Sequence, residues 1–450
     1  MSTGVSEAIL LKHGLRSDRI WTNRYVYKSV LRHIPLFLDT YALMRSQYWS
    51  RDTIERIQDE RLKELFKHAA RIPFWKDVFA GAGVHTSMSA RDILWRVPVT
   101  TKGALAERPI EYIGDPSLLY KSDSDHTSGS TGKPFHFFQD WHASLRSFAV
   151  TERTFRTAGT RFPIVYMRAR ARNGFTFFRH VWFYLRGYNS IQYRMNDFKE
   201  LGLRFRKGFV LYGYTSWVVE LARQMEKLGM TLPIRVAMVA GEHLTESNRA
   251  YIERVMNAEV FTLYASREVG FLGYECGHHK MHINEEWAYV EIVDGAGLSL
   301  PDGREGRILV TTFDNRVVPF IRYEIGDTGV ISDTPCGCGR TLRTLTFKGR
   351  TAELIELEDN RVVSLLDIAY ALGSYRDSVR QYQIVQTGKI SFTMKIVPGP
   401  LFDTNKEHLN SLMTRLLHPR VQIQWEIVAS TPEAKSGKAV YFVRDFKHLS

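Results

Sequence analysis

The pattern of apolar and polar positions predicts a chain of alternating helices and strands. Between Arg51 and Ala70, apolar residues recur at the spacing of one helical face, and Pro73 is expected to end that helix. The next predicted elements are a strand at Phe209–Tyr212, a helix through Leu221 and Met225, a strand at Ile234–Ala240, a helix at Glu246–Met256 and a strand at Val260–Tyr264. Strands that alternate with helices indicate a largely parallel α/β sheet.

The pattern changes after Trp287. Short strands separated by Gly, Pro and Asp turns are predicted at Ala288–Val293, Arg307–Thr312 and Thr328–Ile331, which is typical of a β-rich subdomain. Beyond Arg350, the predicted strands are Glu353–Leu357, Gln381–Gln386, Ile390–Val397 and Gln422–Ile427, and the predicted helices are Leu365–Gly373 and Glu407–Leu417. We therefore predict an α/β protein with a large N-terminal domain (1–349), which includes the β-rich subdomain, and a small α+β C-terminal domain (350–450).

The composition favours a folded protein. Hydrophobic residues make up 44% and charged residues 24% of the 450 residues, which is ordinary for globular chains and unlike disordered ones. No apolar run approaches the roughly 20 residues that a membrane-spanning helix needs. The first residues lack the apolar stretch and cleavage site of a signal peptide. The expected location is the cytoplasm.

The net charge of +13 is concentrated in one block. Residues 161–207 carry eleven Lys and Arg residues against two acidic residues, interleaved with aromatic side chains. Such a block attracts nucleic acid, anionic lipid or a small anionic substrate. A basic surface that only faces water is the competing interpretation.

One segment has the residues that a phosphate-binding loop needs. Its members are Thr127, Ser128, Gly129, Ser130, Thr131, Gly132, Lys133 and Pro134. The glycines let backbone N–H groups turn inward, and the hydroxyls and the ammonium add further donors for a polyphosphate. The spacing does not fit the Walker pattern, because the glycines are too close together and Pro follows the Lys. A solvated Ser/Gly turn is the alternative.

This loop closely resembles the phosphate loop of the adenylate-forming superfamily of acyl-CoA synthetases and related ligases. Four further motifs of that superfamily follow in the expected order. They are Tyr264–Glu268 (YASRE), Arg322–Asp327 (RYEIGD), Gly349-Arg350 and Ser436–Lys438 (SGK). Each motif is weak alone, but five in order at fitting separations are a specific signal.

Within the superfamily, the chain is most similar to the phenylacetate–CoA ligase branch and its CapK-like members. The supporting stretches are Leu62–Trp75, Val97–Lys102 (VPVTTK), Gly241–Leu244 (GEHL), Pro319–Asp327 and Cys336–Arg340 (CGCGR). The resemblance extends from about Arg51 to Asp445, nearly the whole chain.

The resemblance implies roles for the matched residues in ATP-dependent adenylation. Tyr264 would pack on adenine, Glu268 would coordinate Mg²⁺, and Asp327 would bind the ribose hydroxyls, with Arg350 near the same sugar. Lys438 would serve adenylation as a mobile positive charge on a flexible stem. The phosphate loop, Gly241 and Glu242 would bind ATP, and Arg322 is a further candidate catalytic residue. Taken singly, Asp327 is better explained as a turn residue and Lys438 as a surface lysine, and only the ordered set of motifs favours the functional roles.

The chain departs from the family pattern at the hinge. The family usually has an acidic residue or a lysine two places after the arginine, whereas this chain has Ala352 there. The resemblance implies a C-terminal domain that rotates between two half-reactions. Ala352 leaves the details of that rotation, and the second half-reaction, open.

The chain's three cysteines suit a structural zinc site better than a disulfide framework. His282 lies 54 residues before the Cys336-Gly-Cys338 pair, and with Cys276 these residues form a candidate Cys₃His set, a usual composition for closed tetrahedral zinc. His278 or His279 is an alternative ligand to His282. Buried free thiols are the alternative explanation.

Three functional classes follow from these observations. The first is activation of a carboxylic acid as acyl-AMP followed by transfer to coenzyme A. The second is a CapK-like amide or ester synthetase that passes the acyl group to an amine or a sugar in polysaccharide or natural-product biosynthesis. The third is a degenerate basic protein that binds nucleic acid or membrane. Arg168, Arg170 or Arg172 in the basic block would pair with a second acidic group, so a polar or anionic acid is the expected substrate.

Overall fold

The computed structural model describes residues 34–107, 122–126, 135–157, 162, 164–167, 205–350, 354–359, 361–433 and 439–446. The described residues fall into two compact units. The first draws on Met1–Arg161 and Leu263–Phe347, and the second on Phe162–Gly174, Phe183–Thr262 and Lys348–Ser450. The predicted α/β fold class is confirmed.

The described elements follow one another along the chain as helices and strands. The helices are α1 Ile34–Ser46, α2 Arg51–Ala69, α3 Pro73–Gly81, α4 Ala90–Arg96, α5 Lys102–Glu107, α6 Trp141–Arg156, α7 Thr215–Leu228, α8 Glu246–Met256, α9 Leu365–Gly373 and α10 Phe402–Leu416. The strands are β1 Ser122–His126, β2 His136–Asp140, β3 Ile164–Tyr166, β4 Phe209–Tyr214, β5 Ile234–Ala240, β6 Glu259–Ser266, β7 Gly270–Glu275, β8 Met281–Ile283, β9 Ala288–Val293, β10 Glu305–Thr312, β11 Tyr323–Ser332, β12 Thr344–Arg350, β13 Leu354–Glu356, β14 Val362–Ser364, β15 Val379–Gln386, β16 Ser391–Pro398, β17 Gln422–Ile427 and β18 Phe442–Arg444.

Helix α2 shows how the pattern of the sequence sets local structure in the first unit. The helix begins after Ser50, whose side chain accepts the Thr53 N–H, and it buries one apolar face against the core of that unit. It ends at Ala69, one residue before the predicted end. Pro73 does more than stop it, because it occupies the first turn of α3, where its missing N–H costs nothing.

The strands of the first unit are mainly antiparallel. Strands β7 and β8 pair with each other, β8 pairs with β12, and β10 lies between β9 and β11. Strand β11 is longer than the predicted Thr328–Ile331, because Tyr323 and Glu324 also pair with β10 across a bulge between Arg307 and Leu309. The bulge therefore brings the start of the Arg322–Asp327 motif into the sheet.

The second unit contains the predicted strand–helix–strand segment. Strands β3, β4 and β5 are parallel neighbours, and α7 and α8 bury apolar residues in the same core. Gly229 caps the C-terminal end of α7 and Asn257 that of α8, both in the left-handed conformation that favours these two residue types.

The C-terminal part of the second unit has its own sheet and core. Strands β15 and β16 form an antiparallel centre, flanked by β18 and β17 in parallel. Helices α9 and α10 cover an apolar cluster beside this sheet. The predicted small α+β fold is present here, while the proposed division at residues 349 and 350 stays a prediction. No described helix combines the length and the apolar character needed to cross a membrane.

The core of the first unit contains a charged network around Arg153 of α6. The Arg153 side chain is fully buried, and its Nη1 lies 2.8 Å from Glu286 Oε1 and 3.1 Å from the Leu43 carbonyl oxygen. Its Nη2 donates to Asn284. The guanidinium also lies 5.5 Å from the centre of the Tyr274 ring. These contacts tie α1, α6 and the chain after β8 together.

We expect Arg153→Ala to lower the free energy of unfolding by about 3–5 kcal/mol, because it leaves the Glu286 carboxylate buried without its counter-ion. The matched control is Arg420→Ala, which removes an exposed ion pair with Glu358 whose side chains are 68% and 43% exposed. That change should cost no more than about 1 kcal/mol. Chemical denaturation of both variants tests this, and equal losses would contradict the argument.

Candidate active site and metal centre

The predicted phosphate loop, Thr127–Pro134, lies outside the described residues. The residues at its two ends are described, and they are paired. Strands β1 and β2 run antiparallel, with His126 opposite His136. The chain before the loop and the chain after it therefore lie side by side.

The predicted adenine and ribose residues are in direct contact in the first unit. Tyr264 on β6 donates its hydroxyl to Asp327 Oδ2 on β11, at 2.7 Å. The Tyr264 ring lies 6.0 Å from the ring of Phe347, in a tilted arrangement. Asp327 follows Gly326, which has a φ of +82°, and is only 6% exposed. The fold thus brings together an aromatic ring and a carboxylate that are 63 residues apart in the chain.

Glu268, the predicted magnesium ligand, belongs to the same cluster of side chains. Ser266 donates its hydroxyl to Glu268 Oε2 at 2.9 Å, and the Tyr323 hydroxyl lies 3.4 Å from Oε1. Because Tyr323 and Asp327 share β11, the candidate metal ligand, in the turn between β6 and β7, lies beside the strand that carries the candidate ribose ligand.

The sequence identifies Lys102 only as the last residue of the Val97–Lys102 stretch, and the structure places it partly buried near Glu268. Burial lowers the pKa of Lys102, and the nearby Glu268 carboxylate only partly offsets that effect. The Thr100 N–H donates to the Arg322 carbonyl, and the Glu324 N–H donates to the Thr100 carbonyl, both at 2.9 Å. The Val97–Lys102 stretch is therefore bonded along the Arg322–Asp327 motif. In the sequence, the only indication of a role for Lys102 is its place at the end of the VPVTTK stretch.

Arg322 is held by contacts within the protein. Its side chain is buried, with Nε 2.7 Å from Glu291 Oε1 and its terminal nitrogens 2.7 Å from the carbonyls of Val97 and Gly297. Its φ of +46° is rare for a residue with a side chain. These contacts favour an anchoring position for Arg322, and its catalytic role stays a prediction.

In the second unit, Glu242 joins three segments of the chain. One carboxylate oxygen accepts the Ser216 N–H at 2.7 Å, and the other accepts the Ser216 hydroxyl and the Ala439 N–H, both at 3.1 Å. Gly241, just before it, has a φ of +79° where the chain leaves β5. Ala439 also bridges to Glu433. Lys438, with Ser436 and Gly437, lies outside the described residues, but the next residue is held against Glu242.

His243 beside this carboxylate is electrically neutral at physiological pH. Burial, together with the nearby Arg249, lowers the pKa of His243 to about 4. Its ring meets the Tyr370 ring of α9 edge to face, with 4.9 Å between centres. The described surroundings therefore favour a packing role for this imidazole.

The hinge motif lies at the end of β12. Gly349 has a φ of +137°, and a Cβ there would lie 2.8 Å from Ser364 Oγ, so the position requires glycine. Arg350 is exposed. Ala352 and the three arginines Arg168, Arg170 and Arg172 lie outside the described residues, so the expectations for the hinge and the acyl pocket stay predictions.

The candidate zinc ligands of the first unit form one cluster. The ligand atoms of Cys276, His282, Cys336 and Cys338 all lie within 4.8 Å of one another. His282 Nε2 is 3.2 Å from Cys338 Sγ, and the sulfurs of Cys276 and Cys336 are 3.7 Å apart, too far for a disulfide bond. Cys276 and His282 are fully buried.

The hydrogen bonding of His282 suits a metal ligand. Its Nδ1 lies 2.8 Å from the carbonyl oxygen of Leu342, which only accepts, so Nδ1 carries the proton and Nε2 presents its lone pair to the three sulfurs. Neither alternative ligand belongs to this cluster: His278 is exposed, and Nδ1 of His279 lies 3.4 Å from Glu275 Oε1. Of the three histidines, His282 alone is in the cluster of four.

The chain is similar in sequence and in fold to known coenzyme A ligases. No family profile matches the chain. A phenylacetate-coenzyme A ligase of Thermus thermophilus is 26% identical over 352 residues, which cover 74% of this chain and 78% of that protein. The Escherichia coli phenylacetate-coenzyme A ligase is also 26% identical, over 68% of this chain and 72% of its own length. A crystal structure of 2-hydroxyisobutyryl-CoA ligase in the postadenylation state, in complex with R3-HIB-AMP, matches with a TM-score of 0.74 at 19% identity, covering 89% of this chain and 93% of that chain.

The structural match and the arrangement of strands define the fold of the adenylate-forming ligases. Together with the sequence similarity, they support an acyl-adenylate-forming ligase that is similar to phenylacetate-coenzyme A ligases. The resemblance recognised in the sequence is thereby confirmed, and use of ATP is supported with it. The predicted CapK-like assignment and the cytoplasmic location stay predictions.

Proposed function

We propose that this protein activates a carboxylic acid as an acyl-adenylate and then transfers the acyl group to coenzyme A. The observation that carries the proposal is the cluster of four residues in which Tyr264 contacts Asp327, and Glu268 contacts Tyr323 on the strand that carries Asp327. The similarity to phenylacetate-coenzyme A ligases supports the second step.

The first step joins two anions and therefore needs positive charge. A carboxylate oxygen of the acid attacks the α-phosphorus of ATP, the bond to the β-phosphate oxygen breaks, and pyrophosphate leaves. Lys438 stabilises the charge that develops on the phosphorus, while the loop Thr127–Pro134 holds the outer phosphates through backbone N–H groups and hydroxyls. In the second step, the thiol sulfur of coenzyme A bonds to the carbonyl carbon, AMP leaves, and the thiol proton goes to solvent.

The residues of the cluster have the chemistry that ATP and its metal ion require. A carboxylate has about four lone-pair positions, so Asp327 accepts ribose hydroxyls in addition to the Tyr264 hydroxyl. Glu268 offers hard oxygen ligands to Mg²⁺. When bound, Mg²⁺ neutralises charge on the phosphates. Arg350 acts near the ribose, and Gly241, with a backbone φ of +79°, allows close approach of the nucleotide.

We propose that the four-residue cluster Cys276, His282, Cys336 and Cys338 holds a structural zinc ion. Three thiolates and one imidazole form a complete tetrahedral set with no open position, so the metal would stabilise the protein and take no part in catalysis. Its effect would be to join the turn after β7 and strand β8 to the turn before β12.

The acid is proposed to be polar or anionic, because the block of residues 161–207 supplies many cations for a second acidic group. The division into domains 1–349 and 350–450 belongs to the same proposal, with Lys438 on the smaller domain. An amine or a sugar as the acyl acceptor is the alternative that the test below addresses.

ATP–pyrophosphate exchange over a panel of carboxylic acids tests this proposal. We expect exchange with a subset of polar or anionic acids, and AMP release that requires coenzyme A. A preference for long alkyl acids would contradict the proposed substrate class. AMP release that requires an amine or a sugar instead of coenzyme A would show that this amine or sugar is the acyl acceptor in the second step. Salt-sensitive DNA binding without any exchange would contradict the enzymatic function itself.

A further inference from the structure

The described contacts of Glu242 fix it to two other segments of the second unit. Its carboxylate sits at the N-terminal end of α7, where it accepts two hydrogen bonds from Ser216. The partial positive charge at a helix N-terminus stabilises a carboxylate in this position. The main-chain carbonyl of Glu242 also accepts the Thr215 hydroxyl, at 3.1 Å. Both the backbone and the side chain of Glu242 are therefore fixed to the start of α7.

The third hydrogen bond to this carboxylate comes from a distant part of the chain. The Ala439 N–H donates to Glu242 Oε1 at 3.1 Å, across 197 residues of sequence. Ala439 directly follows Lys438 and bridges to Glu433, and the Val440 N–H donates to the Pro432 carbonyl at 3.1 Å. The residues on either side of 434–438 are thus paired with each other. Ala439, the residue on the C-terminal side, is also bonded to Glu242.

We propose that Glu242 is a positioning residue, which acts by fixing the main chain at Ala439, the residue that directly follows the adenylation lysine Lys438. This inference rests on the proposed function, because it deepens the role of Lys438 in adenylation. A hydrogen bond to a charged acceptor is stronger than one between neutral groups, so this contact restrains the backbone more than a neutral partner does. Glutamate suits the position because its two oxygens accept from α7 and from Ala439 at once.

A positioning role and an ATP-binding role predict different kinetics. If Glu242 positions Lys438, Glu242→Ala lowers the kcat of pyrophosphate exchange by about tenfold or more, since a misplaced catalytic group loses transition-state stabilisation. The dissociation constant for ATP then stays within about twofold of the wild-type value, because no ATP contact is removed. If Glu242 instead binds ATP, the dissociation constant rises.

The matched control is Glu253→Ala. Glu253 is half-buried in the same unit and also accepts a main-chain N–H, from Val260 at 3.1 Å. The Glu253→Ala substitution removes a comparable hydrogen bond to a main-chain N–H, at Val260 instead of Ala439. We expect Glu253→Ala to leave the kcat of exchange within about twofold of wild type.

A double-mutant cycle tests whether Glu242 acts through Lys438. We expect Glu242→Ala to have no further effect on exchange in a Lys438→Ala background, because two residues that act as one unit are not additive. Hydrogen exchange of the Ala439 amide gives a second readout that is independent of activity, and we expect faster exchange in Glu242→Ala and Glu242→Gln than in Glu253→Ala.

Each outcome has a defined meaning. An unchanged kcat, a raised ATP dissociation constant or an undiminished effect in the Lys438→Ala background would overturn the positioning role while leaving the proposed function intact. A wild-type protein that catalyses pyrophosphate exchange with none of the acids in the panel would overturn both the positioning role and the proposed function. The inference is supported if Glu242→Ala slows pyrophosphate exchange, binds ATP normally and loses its effect in the Lys438→Ala background. The Ala439 amide should then stay protected from hydrogen exchange in the Glu253→Ala control.

Discussion

Lys438→Ala is expected to lower the rate of ATP–pyrophosphate exchange by about two to three orders of magnitude, the usual cost of removing one electrostatic stabiliser of a charged transition state. Both reactants are anions, and the charge on the α-phosphorus grows as the carboxylate approaches. A lysine supplies a compact positive charge that follows this change. The measurement is exchange of labelled pyrophosphate into ATP with the preferred acid from the panel.

The control for this prediction lies three residues away. Lys435→Ala removes the same charge from the same stretch of sequence, and we expect it to keep exchange within about threefold of wild type, because no role in the reaction is assigned to Lys435. Conversion of a supplied acyl-adenylate to the thioester should survive in Lys438→Ala, because the lysine serves the adenylation step. Normal exchange in Lys438→Ala, or an equal loss in Lys435→Ala, would refute the role of Lys438.

Removing one ligand of the Cys₃His cluster is expected to abolish zinc binding and to destabilise the first unit. Purified wild-type protein should contain about one zinc per chain, and Cys276→Ser and His282→Ala should contain almost none. The thermal midpoint should fall because the metal ties together segments that lie 60 residues apart, at Cys276 and Cys336. Elemental analysis and thermal denaturation provide the measurements.

The neighbouring histidines supply the controls for the metal site. His278→Ala and His279→Asn should keep their zinc, because only His282 lies in the cluster. Asn suits position 279, where φ is +54°. The exchange activity that remains in the folded fraction of Cys276→Ser should have a near-normal KM, since a closed site has no open position for substrate. Wild-type protein that folds without stoichiometric zinc would end the proposal.

Helices and strands with a clear period were readable from the sequence. Strand β5, helix α8, strand β9, helix α9 and strand β17 have the predicted bounds, because the period of apolar residues is a local property of each segment. Element ends that depend on long-range pairing were less accurate. Strand β11 begins five residues before its predicted start, since pairing with β10 extends it.

Candidate residues were readable where a motif carried a chemical pattern, and their contacts were not. The sequence identified Tyr264, Asp327 and the four zinc candidates, but left three histidines open. It also grouped Glu242 with the ATP-binding residues, and it gave no hint of the contact with Ala439. Lys102 had no predicted role at all.

The sequence by itself determined the α/β class, most of the regular elements and the resemblance to adenylate-forming ligases, because periodicity and ordered motifs are written along the chain. Only the tertiary structure decided that Tyr264 bonds to Asp327, that His282 joins the three cysteines, and that Glu242 holds Ala439. Apart from Cys276 and His282, the residues of these contacts lie far apart in sequence. Sheet register and core packing bring them together, and neither is encoded in the residues next to the pair.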